Sequence, residues 1–178
     1  MFYGCTNLTD VAPITISSTA NGWLTNMFYG CSKLKYIDVT NFNTSNVTKM
    51  NAIFYNCTSL VNVDLSSFTG TNSTTFQQMF VGCSNLEEVN LSNLKSNYSG
   101  YTCAQMFQGC TKLEKIDIRS MDFSNISQYG YSNMFGTTAS NYVPDDCLII
   151  VKDDTQKTWI TTNFSRLTNV KTVAELQE

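Results

Sequence analysis

The sequence predicts a right-handed solenoid built from short repeats, with a parallel β-sheet along one side. A five-residue motif, Met-Phe-Tyr-Gly-Cys, occupies residues 1–5 and 27–31, and variants of it start at residues 53, 79 and 106. The apolar spacing Leu-x-x-Ile-x-Val follows the motif, as at Leu34, Ile37 and Val39. One repeat cannot bury its apolar face alone, whereas stacked repeats share a continuous core.

Each repeat is expected to hold one strand and one tight turn. Alternate side chains of an extended segment point to opposite faces, so Ile37 and Val39 point inwards while Tyr36, Asp38 and Thr40 point outwards. Equivalent strands then pair in parallel about 4.8 Å apart on the concave face. On the convex side, segments such as residues 47–54 have apolar residues at helical spacing. This spacing predicts short helical or 3₁₀ turns.

We divide the chain into five repeats over residues 1–137, then a degenerate repeat with a C-terminal cap over residues 138–178. Residues 147–151 predict a buried strand, residues 153–155 an N-cap for a short helix over 156–161, and residues 170–173 one more strand. Solenoids need atypical end units to cover the open core. Because the chain begins at the Met-Phe step of a repeat, we expect a fragment of a larger chain.

Composition narrows the classes of function. The chain has no histidine, which excludes Ser-His-Asp triads, Cys-His dyads and histidine-ligated metals. It has 11 Lys and Arg residues and a net charge of -3, which argues against nucleic-acid binding. No apolar stretch is long enough to span a membrane. We expect neither enzymatic activity nor a cofactor.

The cysteines allow more than one interpretation. Five of the seven share one repeat position: Cys5, Cys31, Cys57, Cys83 and Cys110. Parallel neighbours about 5 Å apart fit the torsion of a disulfide poorly, and no Cys-x-x-Cys pair indicates zinc. We therefore favour a reduced ladder of small buried side chains over disulfides or a metal site.

A second ladder of polar residues lies on the outward face of the predicted strands. Asp38, Asp64, Asn90 and Asp117 share one position. Such a row of oxygens could hold a hard cation such as Ca²⁺, and paired carboxylates can also signal a glycosidase. We favour a solvated polar face, in which each side chain bonds neighbouring hydroxyls or amides, and we predict no metal ligands.

The repeated string Met-Phe-x-Gly-Cys-x-x-Leu-x-x-Ile-Asp, followed in the second repeat by Asn-Phe-Asn-Thr-Ser-Asn-Val-Thr, resembles the BspA-like leucine-rich repeats of bacterial surface proteins. The resemblance covers residues 1–136. It implies a leucine-rich-repeat solenoid on a secreted or cell-surface protein of a host-associated bacterium. Several members are implicated in adhesion, and the family has no shared catalytic motif to carry over.

The outward residues of the concave face are the main candidates for binding, because they vary between repeats and solenoids commonly bind through such extended surfaces. They are Tyr36, Asp38, Thr40, Asn62, Asp64, Ser66, Glu88, Asn90, Ser92, Lys115, Asp117 and Arg119. The alternative is a ridge of turns carrying Tyr98, Tyr101 and Tyr129. We expect a protein or glycan ligand on a host or neighbouring cell, bound by an extracellular or surface-exposed chain. The competing hypothesis is a structural spacer that projects another domain.

Overall fold

The protein is described by a computed structural model over residues 1–12, 14–16, 24–68, 75–95 and 102–177. Its described strands form one parallel five-stranded sheet in chain order. They are β1 (Asn62–Asp64), β2 (Glu88–Asn90), β3 (Lys115–Asp117), β4 (Leu148–Val151) and β5 (Val170–Thr172). One α-helix, α1 (Asp154–Asn163), and two 3₁₀ helices, Gln128–Tyr131 and Ala174–Leu176, complete the described elements. The architecture is therefore a repeat-built, β-rich fold with a parallel sheet.

The repeat period fixes the register of the first three strands. Val63 pairs with Val89, and Val89 pairs with Ile116. All three point inwards and are buried, because these are the apolar positions of the Leu-x-x-Ile-x-Val spacing. The side chains before and after them point outwards, as the alternation of an extended segment requires.

A strand was also expected in the first two repeats, and this expectation is wrong for the described residues there. Residues 9–12 and 36–39 contain no strand. Isolated backbone bonds join Lys35 N–H to the Thr9 carbonyl at 3.4 Å and Val61 N–H to the Lys35 carbonyl at 3.1 Å. Since a strand requires consecutive backbone hydrogen bonds, the sheet begins at the third repeat.

The turn side of each repeat, which carries the Met-Phe-x-Gly-Cys motif, is not helical as expected over residues 47–54. Two residues per repeat have positive φ, and such a residue interrupts a right-handed helix. At the step from the second to the third repeat they are Ala52 (φ 52°) and Asn56 (φ 55°). Alternate N–H groups point to the next repeat instead: Phe54 N–H donates to the Met79 carbonyl at 3.0 Å, whereas Tyr55 N–H donates to the Ala52 carbonyl three residues earlier. The turn side is thus a second ladder of backbone bonds between repeats.

The core of the fold is a column of phenylalanine rings. Each ring stacks on the next with centroids 5.3–5.8 Å apart. The column consists of Phe2, Phe28, Phe54, Phe80, Phe107 and Phe135. Its last member, Phe135, lies just before the boundary at residue 138, so the periodic core continues up to the C-terminal cap. Offset stacking of this kind contributes about 0.5–1.5 kcal/mol per pair beyond the buried area.

The cysteine ladder runs beside the phenylalanine column, and all seven cysteines are free. Cys57, Cys83 and Cys110 are fully buried, as predicted, whereas Cys5 is exposed. The thiols do more than fill space. Four of the five ladder thiols, those of Cys31, Cys57, Cys83 and Cys110, donate to the carbonyl of the phenylalanine one repeat earlier, at 3.0–3.1 Å, as Cys83 does to Phe54. The thiol ladder therefore adds a side-chain bond between neighbouring repeats.

The C-terminal elements confirm the strands and the helix expected there. β4 and β5 extend the sheet beyond β3, and the side chain of Asp153 caps α1 by accepting from Gln156 N–H at 3.0 Å. Trp159 of α1 and Phe164, the residue that follows the helix, pack against the core, where Trp159 stacks on Phe123 with centroids 4.5 Å apart. The helix thereby covers the aromatic end of the core.

Candidate binding surface

The outward side chains of the strand segments form a surface that we call the sheet face. It consists of the twelve residues that sequence analysis singled out: Tyr36, Asp38, Thr40, Asn62, Asp64, Ser66, Glu88, Asn90, Ser92, Lys115, Asp117 and Arg119. The register aligns them in rows. Asn62, Glu88 and Lys115 form one row, and Asp64, Asn90 and Asp117 form the next. The register thus places side by side the six candidates that lie in β1, β2 and β3. The other six lie in the segments before or after these strands.

The carboxylate row is held in place by local turns. Asp38 Oδ1 accepts the Thr40 amide at 2.9 Å and the Thr40 hydroxyl at 2.7 Å. These bonds, the hydroxyl first, lower the pKa of Asp38. Asp64 accepts the Ser66 amide at 2.8 Å in the same way. Each acidic side chain therefore serves its own turn, as expected for short polar residues that bond a backbone amide two positions on.

Asn90 completes the series, since its Oδ1 accepts the Ser92 amide at 3.0 Å. An amide oxygen can replace a carboxylate here because the turn needs only an acceptor. The shared function of this row is thus to hold the backbone. No group of three or more acidic or cysteine side chains placed to hold a metal ion occurs among the described residues.

At its C-terminal end the sheet face departs from the expected solvated surface. Asp117 is only 6% exposed and pairs with the guanidinium group of Arg119 through both carboxylate oxygens. Its neighbour in β4 is the buried Ile150. The prediction of a solvated side chain is therefore wrong for Asp117, because β4 adds an apolar neighbour that the repeat pattern does not contain.

The middle and N-terminal parts of the sheet face stay open to solvent. Tyr36 is 61% exposed, and Lys115 forms a 3.6 Å ion pair with Glu88 across β2 and β3, with both side chains about half exposed. A shallow depression of about 230 Å³ is lined by residues of β1, β2 and β3, among them Glu88 and Lys115. The surface therefore offers one exposed aromatic ring, a polar depression and an ion pair.

The alternative ridge of turns is only partly described. Tyr98 and Tyr101 lie outside the described residues. Tyr129 lies in the 3₁₀ helix Gln128–Tyr131 and is 67% exposed. Its exposed ring makes it a second candidate for contact with a partner.

Sequence analysis missed a row of tyrosines on the turn side, which we call the tyrosine stack. Tyr3, Tyr29 and Tyr55 follow the phenylalanines of the first three repeats directly. Ring centroids lie 4.8 Å apart between Tyr3 and Tyr29, and 4.5 Å apart between Tyr29 and Tyr55. The stack ends at the fourth repeat, where Val81 takes the position. The signal was present in the motif, since the same Tyr recurs in three repeats.

A groove of about 730 Å³ between the end of β3 and the start of α1 was also missed. Phe123 and Trp159 line its apolar part, and Lys95, Arg119 and Lys152 line its charged part. The Gln156 side chain joins its two walls, because it accepts from Lys152 N–H at 2.6 Å and donates to the Met121 carbonyl. This groove depends on the docking of α1, which no spacing in the sequence encodes.

The sheet, the stacked turns and the sheet face define a class: β-rich proteins built from tandem repeats. The chain belongs to the family described as "Mycoplasma protein of unknown function, DUF285", whose model matches residues 22–145. No curated protein and no solved structure matches the chain. Among the described residues, no helix combines the length and apolar character that a membrane crossing would need.

Proposed function

We propose that the chain is a right-handed leucine-rich-repeat solenoid of the BspA-like kind. Two observations support this: the regular stacking of one phenylalanine per repeat, and parallel pairing in strict chain order. The right-handed sense follows because connections between parallel strands are right-handed in about 98% of cases. In this proposal the sheet face is the concave surface.

We further propose that the solenoid is a non-enzymatic interaction module on a bacterial surface or outside the cell. It would bind a protein or glycan of a host or neighbouring cell through the sheet face. The observation that carries this proposal is the contrast within single repeats. Inward positions repeat the same residue types, whereas one outward row reads Tyr36, Asn62, Glu88 and Lys115. A surface that only had to be soluble would not need this variety on a rigid support.

The support is rigid because the side chains of one outward row bond to the backbone turns that follow them. Asp38, Asp64 and Asn90 hold their turns through side-chain bonds of 2.8–3.0 Å to the amide two residues on. A preorganised surface loses less conformational entropy when a partner binds. The exposed ring of Tyr36 supplies the kind of residue that is enriched at binding hot spots.

The experiment is binding of the purified chain to an array of matrix proteins and glycans. The test variant combines Tyr36→Ala, Glu88→Ala and Lys115→Ala. Removing both partners of the 3.6 Å ion pair leaves no unpaired charge. Arg119 is kept, because its loss would leave the buried Asp117 without its partner. We expect a saturable signal for the natural chain that the triple variant loses.

The matched control is Tyr129→Ala, which removes an exposed ring outside the sheet face. We expect it to bind normally. Loss of binding in this variant with retention in the triple variant would move the site to the turn ridge. Absence of any signal from the folded natural chain would favour the spacer, which needs no ligand.

A further inference from the structure

The tyrosine stack has a geometry that its packing role does not require. Tyr29 and Tyr55 lie almost parallel, with an interplanar angle of 3° and centroids 4.5 Å apart. Tyr3 continues the stack on Tyr29 at 15° and 4.8 Å. Tyr29 and Tyr55 are half-buried and Tyr3 is 63% exposed. The tyrosine stack therefore holds phenol rings face to face at the surface of the protein.

The phenol groups of this stack also interact. Desolvation raises the pKa of Tyr29, and the neighbouring phenols of Tyr55 and Tyr3 raise it further. The rings of Tyr29 and Tyr55 are parallel to within 3° and their centroids are 4.5 Å apart, so each ring turns one face towards the other. In two phenoxyl radicals the unpaired electron occupies π orbitals that extend above and below the ring. Face-to-face rings therefore direct these orbitals at each other.

We propose that the tyrosine stack is a site of oxidative cross-linking, at which Tyr29 and Tyr55 form an ortho,ortho′-dityrosine. The oxidant class is hydrogen peroxide used by a haem peroxidase. Each phenol loses one electron and one proton to give a phenoxyl radical. A carbon–carbon bond then forms between the ortho carbons, and each ortho hydrogen moves to the oxygen of its own ring. The protein loses two hydrogen atoms, and one peroxide is reduced to two waters.

The position of Tyr3 makes oxidation of the stack accessible from solvent. Tyr3 is the most exposed member, and it contacts Tyr29, which contacts Tyr55. A radical formed on Tyr3 can thus pass along stacked rings to the inner pair. The cross-link would join the second and third repeats covalently on the turn side. It involves no residue of the sheet face, so it is independent of the proposed binding function.

The experiment treats dilute natural chain with a haem peroxidase and hydrogen peroxide, and analyses the monomer by mass spectrometry after tryptic digestion. Cleavage at Lys33, Lys49 and Lys95 places Tyr3 and Tyr29 in residues 1–33 and Tyr55 in residues 50–95. No other tyrosine lies in these two peptides. A link between them, two hydrogen atoms lighter than their sum, identifies the Tyr29–Tyr55 or Tyr3–Tyr55 bond, and fragmentation separates the two.

All samples carry Cys5→Ser, since the exposed Cys5 thiol would reduce tyrosyl radicals. We expect Tyr29→Phe and Tyr55→Phe each to lower the yield of the linked peptides at least about tenfold, because the effective concentration of held rings is high. Phenylalanine keeps the ring stack, so the fold is preserved. The matched control is Tyr36→Phe, which removes an exposed phenol outside the stack and should leave the yield unchanged.

Three results would overturn the proposal. One is dityrosine that forms only between molecules, in proportion to protein concentration. Another is an unchanged yield of the linked peptides in Tyr55→Phe. The third is the absence of dityrosine from the chain while free N-acetyltyrosine in the same reaction couples normally.

Discussion

On the turn side of the repeats the same residue recurs along the stack, as in Phe28, Phe54 and Phe80, whereas one row of the sheet face changes at every repeat, from Tyr36 to Asn62, Glu88 and Lys115. Backbone hydrogen bonds join neighbouring repeats on both sides. On the turn side the N–H groups donate to the next repeat, as Phe54 does to Met79, whereas on the sheet side they donate in both directions, as Glu87 does to Val61 and Leu65 does to Asn90. The difference lies in what each side chain contacts. A phenylalanine in the column stacks on the phenylalanines of the neighbouring repeats, whereas an outward side chain such as Tyr36 is 61% exposed to solvent.

This comparison separates stability from recognition within one repeat. A buried column constrains every member, because a change in one ring alters the packing of both neighbours. A solvent-facing row has no such constraint and is free to carry recognition. The comparison thus predicts large energetic effects on the turn side and small ones on the sheet face.

The largest expected effect is that of Phe80→Ala. Phe80 is fully buried and stacks on Phe54 and Phe107, with centroids 5.5 and 5.7 Å apart. Removing such a ring costs about 3–5 kcal/mol through lost burial and the cavity left behind. Urea unfolding followed by circular dichroism measures the change. Tyr36→Ala on the sheet face is the control and should stay within about 0.5 kcal/mol. Equal losses of unfolding free energy in both variants would refute the division between a stabilising turn side and a sheet face free for recognition.

The reactivity of the cysteine thiols gives a second test of whether the turn side is the stable part of each repeat. Burial, and to a smaller extent the neighbouring thiol of Cys31, raises the pKa of Cys57 to about 12. Since the thiolate is the nucleophile, near pH 8 a shift of this size lowers the reactive fraction about a thousandfold. Iodoacetamide should therefore label only the exposed Cys5 of the seven cysteines in the folded chain, and all of them after denaturation.

Mass spectrometry of the alkylated chain checks this expectation, with Cys5→Ser as the control that should remain unlabelled while folded. Labelling of Cys57 or Cys110 in the folded chain would mean that the turn side opens readily. In that case the turn side, with its phenylalanine column, could not be the more stable side of the repeat.

The sequence period predicted the parts of the fold that repeat. It failed where a repeat contacts a non-repeating element such as β4 or α1. The inward positions and the C-terminal strands and helix follow from apolar spacing and an N-cap. The left-handed turn residues could not be predicted, because Ala52 and Gln78 lack the preference of Gly or Asn for positive φ. The burial of Asp117 depends on β4, and the groove depends on α1, so both are tertiary outcomes. The Tyr recurrence, by contrast, was visible in the motif.

The smallest expected change in stability comes from a backbone position on the turn side, Ala52. Ala52 has φ 52°, at a position where other repeats carry Asn26 or Gln78 with φ 58° and 59°. The left-handed conformation costs an alanine about 1–2 kcal/mol, and the methyl group regains part of this through burial. We expect Ala52→Gly to stabilise the chain by up to about 1 kcal/mol, measured as a rise in the urea midpoint.

The control Gly82→Ala should have the opposite sign, because its Cβ would lie 2.2 Å from Asn56 Oδ1 and φ there is 72°. A loss of stability in Ala52→Gly would mean that the buried methyl group outweighs the backbone strain, and that the turn side is held by packing alone.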